Sequence, residues 1–183
     1  LSPILMNLHL LALPFVLLTA PPGAASDGAQ KLVVPAYHVQ TPPVIDGLID
    51  EKNEWGNIPS FSGLVDSNTG QPVPEGGTFW LAYDEKYIYF AARLQDNQPG
   101  QIQATEYHTN VDLHGNDTVS LEIDPFGHHN DENVFTMNAA GGTFVQIAGG
   151  RAAKREWLGD FVAKGHITET GWEVEARIPW KIM

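Results

Sequence analysis

The sequence has no cysteine in 183 residues, and only 10 Lys and Arg stand against 22 Asp and Glu. The first absence excludes a disulfide framework and any thiolate metal site. The second leaves a formal charge of −12, none of it before Asp27. A body of that sign repels phosphate backbones and anionic lipid, and no basic stripe offsets it. Nucleic acid is therefore not an expected partner, nor is an anionic membrane surface. No apolar run reaches the roughly 20 residues that a bilayer crossing needs, so no membrane insertion by this chain is expected. The sequence also lacks Gly-x-Ser-x-Gly, His-Glu-x-x-His and a phosphate-binding glycine loop, the local signatures of several large enzyme classes. A non-catalytic role is the expectation.

What is present begins with a targeting pattern. Leu8 to Leu18 is almost wholly apolar and passes through Pro21, Pro22 and Gly23 to Ala24-Ala25-Ser26. A short apolar stretch followed by small residues reads as a secretory signal peptide over residues 1–25, cleaved near Ala25. No Lys or Arg precedes it, and a start at Met6 would leave only Met6-Asn7 ahead of the run. The competing reading is a buried apolar strand or core helix. Residues 26–42 read as a linker and first strand, and residues 43–183 as one domain. The abrupt end after Ile178-Pro179-Trp180 suggests a piece of a longer polypeptide with a downstream domain.

From Leu32 onward the hydrophobic period is two. Val119, Leu121 and Ile123 alternate with Thr118, Ser120, Glu122 and Asp124; Trp172, Val174, Ala176 and Ile178 alternate with Glu173, Glu175 and Arg177. Phe161, Ala163 and Ile167 do likewise around Val162, Lys164 and His166. Each is the pattern of a strand with one face on a core. Thr78 to Tyr83 and Tyr87 to Leu94 flank Asp84-Glu85-Lys86 and read as a hairpin. Asn133 to Ala139 and Thr143 to Ile147 flank Ala140-Gly141-Gly142 and read as another. Asp50 to Trp55 allows one helical turn. The expected class is all-β, an antiparallel sandwich.

Four segments recur in a telling order: Pro43-Val44-Ile45-Asp46-Gly47-Leu48-Ile49-Asp50-Glu51 before Trp55; Leu81-Ala82-Tyr83-Asp84-Glu85-Lys86-Tyr87-Ile88-Tyr89; Asn116-Asp117-Thr118-Val119-Ser120-Leu121-Glu122-Ile123-Asp124; and Gly171-Trp172-Glu173-Val174-Glu175-Ala176-Arg177-Ile178-Pro179-Trp180. The series resembles the family 9 carbohydrate-binding module superfamily from about Pro43 to the end. The resemblance implies a jelly-roll-like β-sandwich, truncated at its C-terminus, with structural calcium and a sugar held against aromatic rings. It implies attachment to a secreted glycoside hydrolase of the xylanase type. It equally admits the module that precedes an outer-membrane β-barrel in large bacterial proteins, a periplasmic accessory domain without sugar affinity. Three positions depart from the sugar-binding branch: His114 stands for a Trp, Ser120 for a Glu and Thr136 for an Arg. A haem-binding sandwich is a remote third reading, permitted by Met137 and the histidines.

Ligand contact therefore falls on Trp80, His114, Ser120, Thr136 and Trp157, with Tyr89 as a further aromatic. Trp80 and Tyr89 lie in strands, where such rings are more often core or cross-strand packing. Trp157 follows the mixed-charge run from Arg151 to Glu156. Trp55 and Trp172 read as core. Calcium takes carboxylate and carbonyl oxygens, which points to Asp46, Asp50, Asp117 and Asp124. The same residues suit turn chemistry. Asp124, His128, His129 and Asp131 offer transition-metal donors in a polar loop. Glu173 and Glu175 share a strand face at roughly 6 to 7 Å, a spacing at which glycosidases use carboxylate pairs; an exposed acidic face accounts for them as well.

Overall fold

The computed structural model describes residues 8–12, 34–66, 68–125, 127, 132–147 and 160–183. Among the described residues ten strands run in chain order: β1 (Leu8–Ala12), β2 (Tyr37–His38), β3 (Ser60–Ser62), β4 (Gly77–Tyr83), β5 (Tyr87–Gln95), β6 (Thr118–Ile123), β7 (Asn133–Asn138), β8 (Thr143–Gln146), β9 (Val162–Thr168) and β10 (Gly171–Pro179). They form two sheets. One has the order β1-β6-β7-β8; the other runs β2-β4-β5-β10-β9, with β3 and β2 sharing the outer edge of β4. The expected hairpins are present as β4–β5 and β7–β8. Pairing is antiparallel except between β2 and β4, where two residues run parallel. Asp50 to Trp55 closes one turn through the Glu54 and Trp55 amides on the Asp50 carbonyl.

The two sheets pack face to face, as the period-two pattern demands. Phe79, Leu81, Phe90, Ala92, Val174, Ala176 and Ile178 face Val119, Leu121, Phe135 and Met137, and all are essentially inaccessible to water. Trp172 joins this core as expected. Cutting one of these phenylalanines to alanine would cost about 3 to 5 kcal/mol. Among the described residues, no helix is long and apolar enough to cross a membrane.

A second apolar layer was not expected. The segment 39–58 crosses the outer face of the second sheet, and Val39, Ile49, Trp55 and Ile58 bury themselves against Trp80, Ala82, Tyr89 and Ala91. That sheet is therefore covered on both faces. Strands β4 and β5 read as apolar runs, not clean alternations, for this reason.

The leader reading meets one structural fact: the backbone of Leu8–Ala12 pairs antiparallel with β6, Leu8 opposite Ile123 and Ala12 opposite Val119. Most of residues 1–25 lie outside the described residues.

At the β9–β10 turn the chain requires glycine. Gly171 has φ of 150°, and a Cβ there would meet the Leu94 carbonyl oxygen at 1.9 Å. Gly171→Ala is thus expected to destabilise the fold by about 3 kcal/mol or more. A urea midpoint equal to that of the parent chain would contradict this.

Candidate functional site

The outer face of β6–β7–β8 brings together two of the residues that the sequence singled out, Ser120 and Thr136. Because Val119, Leu121 and Ile123 face the core, Thr118, Ser120 and Glu122 lie on the opposite face of β6, where Thr118 and Ser120 are buried and Glu122 is half-buried. Register places Ser120 opposite Thr136 and Thr136 opposite Phe144; Glu122 lies opposite Val134, and Val134 opposite Gln146. The Ser120 and Thr136 hydroxyls share a hydrogen bond of 2.8 Å. Two residues along the same face, burial pushes the Glu122 carboxyl up to about 7, helped by a hydrogen bond and the charge of Glu132. A carboxyl raised in this way holds a proton more readily than an exposed one, and when protonated it can donate as well as accept.

Loop 102–117 closes one end of this face. Asn116 Oδ1 accepts from the Thr105 and Glu106 amides at 2.8 and 3.3 Å. Asp117 Oδ2 accepts from the Gln103 amide at 2.6 Å. The buried Asn138 Nδ2 donates to the Glu106 carbonyl at 2.7 Å and to Asn116 Oδ1 at 2.9 Å. The Asn116-Asp117 pair thus builds the loop that carries His114, which is exposed.

The remaining ligand candidates do not join this face. Trp80 is 2% exposed on the other sheet, sandwiched between Trp55 and the Arg93 guanidinium 5.6 Å away. No ring face is left for a sugar, so it is corrected to a packing residue. Tyr89 is equally buried, and its hydroxyl donates to Asp84 Oδ2 at 2.8 Å. Trp157 lies outside the described residues, as do His128, His129 and Asp131.

The four calcium candidates do not form one site. Asp46 accepts from the Leu48 amide; Asp50 accepts from the Lys52 and Asn53 amides and the Asn53 side chain. Asp124 accepts from the Gly127 amide. These are turn bonds, and Asp117 and Asp124 sit at opposite ends of β6, about 23 Å apart along the strand. Among the described residues no three His, Cys, Asp or Glu are placed to hold a metal.

Glu173 and Glu175 are also corrected. They are not an exposed acidic face: both are buried beneath segment 39–58. Glu175 Oε2 accepts from the Asp46 and Gly47 amides at 3.1 and 2.8 Å, and Oε1 from Trp55 Nε1 at 2.6 Å. Glu173 accepts from the Ile49 amide at 3.0 Å and from Arg93 Nε at 2.5 Å. Carboxylates engaged in this way anchor a strap and have no open side for a substrate.

A groove of about 510 Å³ lies on that strap side, lined by Pro43, Val44, Asp84, Tyr87, Tyr89 and Arg177. Its Tyr87 hydroxyl and Arg177 both donate to Asp160, at 2.6 and 3.2 Å. It reads as the seam between strap and sheet.

Residues 45–183 match the model of the carbohydrate family 9 binding domain-like family. The chain belongs to this family. Its fold agrees: a solved family 9 carbohydrate-binding module from Caldicellulosiruptor kristjanssonii, in complex with cellotriose, superposes with a TM-score of 0.54 at 21% identity. The match covers 79% of this chain and 67% of that one. No curated protein matches. Within this family 9 domain, sequence reasoning missed Glu122 and Phe144 as members of the outer face. Both were readable, since each alternates with inward residues of its own strand.

Proposed function

We propose that the outer face of β6–β7–β8 binds a neutral polysaccharide segment, and that the chain acts as the non-catalytic binding module of an exported protein. The observation that carries this reading is the in-register row Ser120, Thr136 and Phe144 beside the Glu122 carboxyl. Hydroxyls and a carboxyl offer donors and acceptors to sugar hydroxyls, and an aromatic edge offers apolar contact to ring faces. The charge of −12 disfavours acidic polymers. The similar module was solved with cellotriose, which names the first probe. The exported, periplasmic or cell-surface location and a downstream hydrolase of the xylanase type belong to this proposal. Structural calcium belongs to it only with backbone carbonyls beside at most two of the four aspartates. A melting curve in chelator against calcium reads that point.

Calorimetric titration with cellotriose and xylotriose tests the binding. Thr136→Val, which keeps the shape and removes the hydroxyl, should weaken it by about fivefold, one hydrogen bond of about 1 kcal/mol. Equal affinity of the variant would move the site elsewhere. No heat with any neutral oligosaccharide would favour the accessory domain of an outer-membrane barrel, without sugar affinity.

A further inference from the structure

Tyr107 is the most exposed large hydrophobic side chain among the described residues, at 69%. An exposed ring alone is ordinary. What distinguishes this one is that its backbone is pinned on both sides. The Glu106 carbonyl accepts from Asn138 Nδ2, and the Glu106 amide donates to Asn116 Oδ1. On the other side the His108 carbonyl accepts from the Thr143 amide at 3.1 Å. The Asn110 amide donates to Thr143 Oγ1 at 3.1 Å and the Val111 amide to the Thr143 carbonyl at 2.9 Å. The His108 ring lies against the tyrosine at 4.3 Å between centroids and 30° between planes. The ring is thus held, with one side backed.

Its position follows from the same bonds. Segment 108–111 runs along the edge of β8 that β7 leaves open, at the residue next to Phe144. Ser120, Thr136 and Phe144 cross the sheet in register, and Tyr107 immediately precedes the segment bonded to the far edge of β8. Two strand spacings, about 10 Å, separate Thr136 from this segment. A short oligosaccharide spans that distance.

We infer that Tyr107, backed by His108, is the aromatic platform of this face and stacks on a pyranose ring whose neighbour meets Ser120 and Thr136. The inference rests on the carbohydrate-binding reading above. It offers that face an exposed aromatic surface fixed before the ligand arrives, so that little ordering opposes binding. His114, on the same loop, need not act as the platform.

The test is cellotriose titration of the chain and of Tyr107→Ala, Tyr107→Phe and Thr136→Val, each checked for an unchanged melting temperature. Tyr107→Ala should weaken binding about tenfold or more, and Tyr107→Phe by no more than about twofold, because stacking needs the ring and not the hydroxyl. If Tyr107→Ala binds like the parent chain while Thr136→Val is weakened, the platform is wrong and the face survives. Equal losses in the alanine and phenylalanine variants would make the contact a hydroxyl bond and overturn the stacking. If the parent chain binds neither cellotriose nor any other neutral oligosaccharide, both the platform and the face fall together.

Discussion

Replacing Glu175 by alanine should cost the domain about 3 to 5 kcal/mol, and the reason lies in its donors. The side chain is fully buried and accepts two backbone amides and the Trp55 indole. Alanine leaves all three donors under segment 39–58 with no acceptor, which is the most expensive way to lose a hydrogen bond. Glu175→Gln keeps one carbonyl oxygen and should cost less. The parent chain should show a matching dependence on pH. Burial raises the Glu175 carboxyl to about 7 from the usual 4.5, against the pull of its donors. An acid whose folded value is raised leaves the native state with more protons than the unfolded chain between those values. Stability should therefore be greatest below about pH 4.5 as far as this group decides, and fall as pH rises through 7, by roughly 3 kcal/mol. The Glu122 carboxyl, raised in the same direction, adds to the slope. Asp84 and Asp160 oppose it only at lower pH: hydrogen bonds hold both below the ordinary carboxylate range, so their contribution is lost as acid protonates them. Urea midpoints at pH 5 and pH 8 check the sign. A flat profile in the parent, or an unchanged slope in Glu175→Gln, would show that the anchor is not the titrating group.

The second large effect is expected at Asn138, which is also fully buried. Its amide nitrogen donates to the Glu106 carbonyl and Asn116 Oδ1, and its oxygen accepts the Ala140 and Gly142 amides at 3.1 and 2.8 Å. One side chain thus fixes the β7–β8 turn and loop 102–117 together. Asn138→Ala should cost about 3 kcal/mol, since several buried groups lose their partner at once. Asn138→Asp should cost at least as much, because a carboxylate repels Glu106 O and Asn116 Oδ1 where the amide donated. Loop amides 105 to 111 should exchange hydrogen faster in both variants, beyond the global change in stability. Exchange that scales only with global stability would show that the loop is held by something else.

The sandwich was legible because each inward residue is one of an alternating set. Val119, Leu121 and Ile123, or Val174, Ala176 and Ile178, could face only a core, and they do. Trp172, a member of the second set, was read as core on the same grounds. What was not legible is the strap. Nothing in the local pattern of Glu173 and Glu175 distinguishes a wet acidic face from one covered by a segment some 120 residues away in sequence, since both alternate identically. The cover also converted Trp80 from a candidate platform to a packing residue. Aspartates at turns were ambiguous from the outset: Asp50 and Asp124 meet backbone amides of their own turns, which composition cannot separate from ion ligation. Ser120 and Thr136 came from resemblance, and their juxtaposition came only with the register. Tyr107 stood in the sequence as an aromatic amid polar neighbours, but the bonds that pin its loop are long-range.

The central claim is that the outer face of β6–β7–β8 is the sugar site, and nuclear magnetic resonance during a cellotriose titration tests it most directly. Amide shifts should move with ligand at Ser120, Glu122, Thr136 and Phe144 and along 106–108, and stay fixed on the covered sheet around Trp80, Tyr89 and Glu175. Shifts clustered instead about Pro43, Val44 and Tyr87, or no shifts at millimolar cellotriose, would contradict it.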